Sequence, residues 1–101
     1  MSDPITVYVS IGNTDDKLTQ ARWSRFQEQM RSVCRQFARQ VHGDWHSPPV
    51  SPYQNACLAF EIDPANIPAL KLELADLARE HDQESVAWAE AATTFLRPPA
   101  E

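Results

Sequence analysis

The sequence predicts an α+β fold with a four-stranded antiparallel sheet and two helices. Two observations lead to this prediction. Stretches with an apolar residue at every second position alternate with stretches that repeat every third or fourth position. Their order along the chain is strand, helix, strand, strand, helix, strand. A chain of 101 residues can build one core, so we expect a single domain over residues 1–96 and a flexible tail over residues 97–101.

The first strand and the first helix have the clearest patterns. Residues 5–11 alternate between apolar and polar side chains, as in a half-buried strand. Residues 18–39 carry an apolar stripe with the helical repeat. Between them, Thr14, Asp15 or Asp16 can cap the helix, and the two acids suit the positive end of its dipole. The same two carboxylates are candidate ligands for a divalent cation.

The second half of the chain repeats the scheme with shorter elements. Residues 41–46 predict a short strand, and the three prolines of residues 47–55 predict a loop. Residues 56–62 predict another strand, and residues 67–81 a second helix with an apolar stripe. Residues 85–89 predict the last strand, although the alanine-rich continuation is equally compatible with a helix.

This order of elements resembles the ferredoxin-like, split β-α-β architecture. The resemblance implies a sheet with the spatial strand order 4-1-3-2 and both helices on one face. It also implies that three connections meet at one edge of the sheet: residues 12–17, 47–55 and 81–84.

Those three connections hold many of the polar groups of the chain, and loops on a rigid scaffold commonly carry binding residues. We therefore expect a binding site at this edge, with an aromatic residue at its margin. The candidate binding residues are Asn13, Asp15, Asp16, Trp45, His46, Tyr53, Gln54, Asn55, His81 and Asp82.

No motif in the sequence specifies a metal, a cofactor or a catalytic set, and we expect none of the three. His42, Asp44 and His46 would share one face of a strand, but the two histidines would then lie about 13 Å apart. That distance is too long for one zinc ion. His46 with His81 and Asp82 is a better cluster if the loops meet. Phosphate binding is disfavoured at the first loop because acids follow its one glycine.

The net charge of −5 conceals an asymmetry. The segment from Lys17 to Arg39 carries six of the nine basic residues and one acid, a net +5, so the remainder carries −10. An acidic domain is a poor general binder of nucleic acid. We expect the arginines of the first helix to form ion pairs with Glu73, Asp76 and Glu80 of the second helix, which contribute little each.

The outward face of the predicted sheet is small and mildly apolar, with Tyr8, Cys57 and Ala59 among its residues. It lacks the aromatic platform that stacks on RNA bases. A second sheet would cover it well, so a homodimer through this face is a further expectation. Trp23, Trp45 and Trp88 are expected in the core or an interface, and the margin of the binding site is the alternative position for Trp45.

We interpret the chain as a small interaction protein of the inhibitor, immunity or regulatory type. It would bind a partner protein through the polar loop edge or the basic helix. The alternative is a small-ligand or nucleotide-binding domain, or a metal-assisted enzyme, that uses the same loops, with His46 or His81 as general base. We expect a cytoplasmic protein, with no membrane span or leader and with Cys34 and Cys57 reduced.

Overall fold

The chain alternates strands and helices in the predicted order. The computed structural model describes residues 3–13, 17–48, 50–92 and 94–100. Within them the elements are β1 (Ile5–Gly12), α1 (Gln20–Phe37), β2 (Ala38–His46), β3 (Asn55–Ile62), a 3₁₀ turn (Pro64–Asn66), α2 (Ile67–Glu80) and β4 (Ala87–Ala91).

The four strands form one antiparallel sheet in the order β2-β3-β1-β4. This is the expected 4-1-3-2 order read from the other end. β1 and β3 are the central strands, with Val7 opposite Phe60 and Val9 opposite Leu58. β2 and β4 are the edges.

One hydrophobic cluster joins both helices to one face of the sheet. Alternate residues of β1 and β3 point toward the helices and are buried, because successive side chains of a strand point to opposite faces. Each helix contributes the apolar stripe read from its sequence. The buried members include Val7, Val9, Trp23, Phe26, Met30, Leu58, Phe60, Leu70 and Leu74.

Helix α1 begins later than predicted. Its N-cap is Thr19, whose Oγ accepts from the backbone N–H of Arg22 at 3.2 Å. The prediction that Thr14, Asp15 or Asp16 caps this helix was therefore wrong. Those three residues lie outside the described part of the chain. Leu18, which precedes this cap, is buried in the core and belongs to the loop before the helix.

Helix α1 also ends sooner than predicted, at Phe37, and β2 starts without a loop at Ala38. β2 pairs irregularly with β3, with register shifts between Ala38 and Gln40 and between Val41 and Gly43. These are β-bulges, each of which places one extra residue on one strand.

The second bulge separates the side chains of the predicted His42, Asp44 and His46 row. His42 is the extra residue, and its Nε2 lies 3.6 Å from the Glu61 carboxylate on the outward side of the sheet. Asp44 pairs with the buried Leu58, so it faces the helices. The expectation that these three residues share one face was wrong, because a bulge interrupts the two-residue repeat.

The alanine-rich end of the chain continues as strand. β4 spans Ala87–Ala91, two residues further along than predicted, and pairs with β1 from Ser10 opposite Ala87 to Thr6 opposite Ala91. Alanine favours helices in isolation, but pairing with a central strand overrides that propensity.

Helix α2 ends in a Schellman motif centred on Asp82. The N–H of Gln83 donates to the carbonyl of Ala78 at 2.8 Å, and the N–H of Asp82 donates to that of Arg79 at 3.1 Å. Asp82 has a φ of 56°, in the left-handed region that favours glycine. This residue, predicted as a binding residue, therefore has a structural role at the end of the helix.

Replacing Asp82 by glycine should not destabilise the protein. Glycine adopts the left-handed conformation without a Cβ penalty, so we expect Asp82→Gly to raise the free energy of unfolding by up to about 1 kcal/mol. Urea unfolding measures this, with Asp82→Ala as the matched control. A glycine variant less stable than the alanine variant would contradict the role given to this position.

Candidate functional site

The first and second of the predicted loops are joined by one buried side chain, that of Asn13. Its amide nitrogen donates to the carbonyl of Leu18 and to Oε1 of Gln54, both at 3.1 Å. Its Oδ1 accepts from the N–H of Leu18 at 3.0 Å, and its own N–H donates to the carbonyl of Gln54 at 2.8 Å. Asn13 is only 1% exposed. We call this set of bonds the Asn13 clamp.

Gln54 extends the clamp to the start of helix α1. Its side-chain amide exchanges two hydrogen bonds with that of Gln20, at 3.0 and 2.8 Å. Like Asn13, Gln54 is buried. The two amides predicted as ligand contacts are thus used within the protein. Gln20 was missed by the sequence analysis, since a lone glutamine in the first turn of a helix gives no signal for this contact.

The third loop reaches the first through Lys17. Its Nζ donates to the backbone carbonyl of Asp82 at 3.4 Å. Around Asn55, the hydroxyl of Ser47 accepts from the N–H of Asn55 at 2.9 Å, and the Asn55 amide donates to the carbonyl of Tyr53 at 2.9 Å. Described parts of all three loops therefore meet at one edge, but most of their polar groups bind one another.

The two candidate histidines lie on different sides of helix α1. His46 lines a cavity of about 290 Å³ with Trp23, Gln27 and Arg31. His81 lines another, of about 210 Å³, with Arg22, Arg25, Gln29 and Glu80. A joint site of His46, His81 and Asp82 is therefore not formed. Among the residues that the structure describes, no group of three His, Cys, Asp or Glu side chains is placed to hold a metal ion.

His81 is buried and held in place by its neighbours. It is 6% exposed, its ring stacks on that of Phe26 with centroids 4.7 Å apart, and its Nε2 bonds to Oε1 of Gln29. Nδ1 has no partner among the described residues. Burial lowers the pKa of His81 from the ordinary 6.5, and the nearby cation of Arg22 lowers it further. A buried neutral histidine with this packing is a core residue.

The basic residues of helix α1 are not paired with helix α2. Asp44 on β2 instead accepts from Arg31 at 2.9 Å and lies 3.4 Å from Arg35. Asp76 bonds to Arg79 of its own helix at 2.7 Å. The expected ion pairs between the helices are absent among the described residues. Arg31 and Arg35 lie beside Asp44 because the second bulge turns the side chain of Asp44 toward α1.

The outward side of the sheet has no described element packed on it; we call it the open face. Tyr8 stands at its centre, between Ala59 and Ala89 on the neighbouring strands. Of the described residues of the open face, Glu61 is an acid, and His42, whose Nε2 lies 3.6 Å from its carboxylate, is a base. The residues of this face are Thr6, Tyr8, Ser10, Gln40, His42, Gly43, Trp45, Cys57, Ala59, Glu61, Ala87, Ala89 and Ala91.

Trp45 is the most prominent side chain of the open face and is 54% exposed. Its ring lies flat over Gly43, since a Cβ added to Gly43 would come within 2.3 Å of the ring. Tyr53 and Val50, in the loop between β2 and β3, are 68% and 92% exposed. The Gly-x-Trp spacing on a strand was the sequence signal for this arrangement, and it was not recognised.

The remaining groups give little chemistry. Burial raises the pKa of the Cys34 thiol to about 12, so it stays protonated in the core. Cys57 lies on the opposite side of the sheet, which prevents a disulfide between the two. None of the described helices has the length and apolar character needed to span a membrane.

Comparisons of the sequence with protein-family models and with curated proteins gave no match.

Breaking the Asn13 clamp should destabilise the whole fold. Asn13→Ala removes three buried side-chain hydrogen bonds and leaves their partners unsatisfied, so we expect a loss of about 3 kcal/mol in the free energy of unfolding. Asn55→Ala is the matched control, since its amide bond is exposed and its loss should cost less than about 1 kcal/mol. Equal losses in urea unfolding would show that the clamp is not structural.

His81 should make the protein less stable in mild acid. Because the pKa of His81 is lowered in the folded state, the unfolded chain binds more protons below the ordinary pKa of 6.5. The free energy of unfolding should therefore fall as the pH drops from 7.5 through 6.5 toward the folded-state pKa, by at most about 1.4 kcal/mol per pH unit. His81→Phe keeps a ring against Phe26 and should flatten this dependence.

The control is Ile67→Val, which weakens the core without removing a titrating group. Chemical unfolding of this variant at a series of pH values between 7.5 and 5.5 should show the same pH dependence of the free energy of unfolding as in the unsubstituted protein. The same slope in His81→Phe would exclude His81 as its source.

Proposed function

We propose that this chain is a non-catalytic interaction protein, of the inhibitor, immunity or regulatory type, that binds a partner protein. In this proposal the binding surface is the open face together with the loop between β2 and β3. The observation that carries the proposal is the position of Trp45, which is 54% exposed on a sheet face where Glu61 and its neighbour His42 are the described acid and base.

The composition of this surface supports the proposal. The centres of protein interfaces are depleted in charge and enriched in tryptophan and tyrosine. The open face has Tyr8 and Trp45 with alanine, glycine and cysteine between them. Tyr53 follows in the adjoining loop and is 68% exposed. Aromatic residues that stand above small neighbours provide the contact area that binding hot spots use.

Gly43 gives Trp45 its orientation. A side chain at position 43 would collide with the indole, so the glycine lets the ring lie along the sheet. An aromatic ring over a glycine also stabilises a strand, but Trp45 as a whole remains 54% exposed. That exposed remainder is available to a partner.

We further propose that the fold is ferredoxin-like. The strand order β2-β3-β1-β4 and the helices on one side support this assignment. A second copy of the chain is the competing occupant of the open face, since such a face suits another sheet.

The alternative function has less support. The chain would then be a small-ligand or nucleotide-binding domain, or a metal-assisted enzyme, that uses the loops. It would use the side chains of Asn13 and Gln54, which are bonded to each other and to neighbouring residues. His46 lines its cavity with Arg31, which is already paired with Asp44. Asp15 and Asp16, the proposed cation ligands, lie outside the described residues.

The test is a comparison of variants in partner capture from the source cells. Trp45→Ala and Tyr53→Ala should each reduce recovery of the partner, and Trp45→Ala should weaken its affinity about 30-fold, as expected for a hot spot of roughly 2 kcal/mol. Leu72→Ala is the matched control, because Leu72 is an apolar residue on helix α2 that is at least as exposed as Trp45 and Tyr53. Full recovery with Trp45→Ala would reject this surface.

Gly43→Ala tests whether partner binding depends on the orientation of the Trp45 indole and not only on its presence. The added Cβ should displace the Trp45 ring, so partner binding should weaken although every aromatic residue is retained. Gly43→Ala in a Trp45→Phe background reports any effect of the glycine alone. A weakening of the same size in both backgrounds would mean that the orientation of the tryptophan is irrelevant.

A further inference from the structure

The strand β4 has a free edge. It pairs with β1 on one side, and no described strand lies on its other side. Its pairing with β1 is regular from Ala87 to Ala91, so its outer side presents a regular row of backbone N–H and C=O groups. β2, the other edge of the sheet, is interrupted by two bulges, which hinder the addition of a strand. The two edges therefore differ in their capacity to accept an extended segment.

A groove of about 510 Å³ lies beside this edge, between helix α2 and the chain that leads into β4. Its apolar lining comes from both elements: Leu74, Ala75, Ala78, Val86 and Trp88. Trp88 pairs with the buried Val9 and therefore faces the helices. A strand added beside β4 would direct every second side chain to this same side of the sheet. No described residue after Trp88 lines the groove, so the C-terminal tail leaves it accessible.

The Trp88 ring is held in place as one wall of the groove. Its indole N–H donates to the carboxylate of Glu90 at 3.2 Å, and Nζ of Lys71 lies 5.1 Å from the ring centroid. The ring also packs against the hydrophobic core. A wall that is already fixed lowers the cost of ordering side chains when a ligand binds.

The opposite end of the groove is acidic. Asp82 and Glu84 line it, and both are exposed. Neither carboxylate forms an ion pair with a described residue. Lys17 donates to the backbone carbonyl of Asp82, and Arg79, which also lines the groove, is paired with Asp76. This end of the groove therefore favours a basic side chain of a ligand.

We propose that β4 and this groove bind an extended segment of a partner protein, which joins the sheet as an antiparallel strand. The segment carries an apolar side chain that enters the groove, followed by a lysine or arginine that pairs with Asp82 or Glu84. Antiparallel pairing is the more stable of the two strand directions. The segment then runs from Ala91 toward Ala87, so the part that follows its apolar residue reaches the acidic end.

Each feature of the surface accounts for one property of this ligand. The backbone of β4 requires an extended chain, because its free groups are spaced for a neighbouring strand. The groove selects the apolar side chain, and the two carboxylates select the basic one. In recognition by strand addition, main-chain hydrogen bonds supply affinity and pockets for alternate side chains supply specificity.

This inference goes beyond the proposed function and does not depend on it. Trp45 and the open face lie on the outward side of the sheet, whereas the groove lies on the helix side, at the edge. Substitutions at one surface therefore leave binding at the other measurable, and either proposal can fail alone.

Selection from a library of random phage-displayed peptides, followed by fluorescence anisotropy with the synthetic peptides, tests the proposal. The selected sequences should share an apolar residue followed by lysine or arginine. Ala75→Trp fills the groove from an exposed position and should weaken their affinity at least about tenfold, the loss expected when one apolar side chain is no longer buried. Leu72→Trp is the matched control, since Leu72 is exposed on the same helix outside the groove.

Charge reversal tests the acidic end. Glu84→Lys should weaken binding of the selected peptides, and a peptide with alanine in place of its basic residue should be affected much less. Glu73→Lys, at an exposed acid of helix α2 that does not line the groove, should leave the affinity unchanged. Equal effects of Glu84→Lys on both peptides would contradict the proposed ion pair.

Methylation of backbone nitrogens in a selected peptide tests strand addition. Successive N–H groups of an extended chain point to opposite sides, so methylation at every second position should abolish binding and methylation at the others should be tolerated. Equal tolerance at all positions would overturn the proposal. So would a selection that yields no binding peptide, or peptides weakened by Trp45→Ala but not by Ala75→Trp.

Discussion

The fold depends on the buried amide of Asn13, which joins two loops that are distant in sequence. Through it the end of β1, the start of helix α1 and the start of β3 are fixed relative to one another. Buried polar groups are costly unless they are paired, so a fully bonded amide specifies one arrangement of these elements. The helices are then held on one side of the sheet, and the other side remains open.

The clamp also decides which surfaces remain available for function. The side chains of Asn13 and Gln54 form their hydrogen bonds inside the protein, and Asp44 pairs with Arg31 and lies 3.4 Å from Arg35. Exposed aromatic residues lie elsewhere, at Tyr8 and Trp45 of the open face.

The order of elements was predictable from apolar periodicity, and the strand order from the resemblance of that order to the ferredoxin-like architecture. The start of helix α1 was not, since several polar residues before the helical stripe are possible caps and the sequence pattern does not single out Thr19, which caps the helix. The bulge at His42 was equally hidden, because a strict two-residue repeat assumes regular pairing. The loops met as expected, but sequence alone could not show that their amides bind one another.

The central claim is that the open face, with Trp45, is where a partner protein binds. Hydroxyl-radical footprinting of the chain, free and in complex with its captured partner, measures the solvent access of each side chain directly. Oxidation of Trp45 and Tyr8 should fall in the complex, while that of the exposed Leu72 on helix α2 should stay the same. Unchanged oxidation of Trp45 and Tyr8 in a saturated complex would contradict the account.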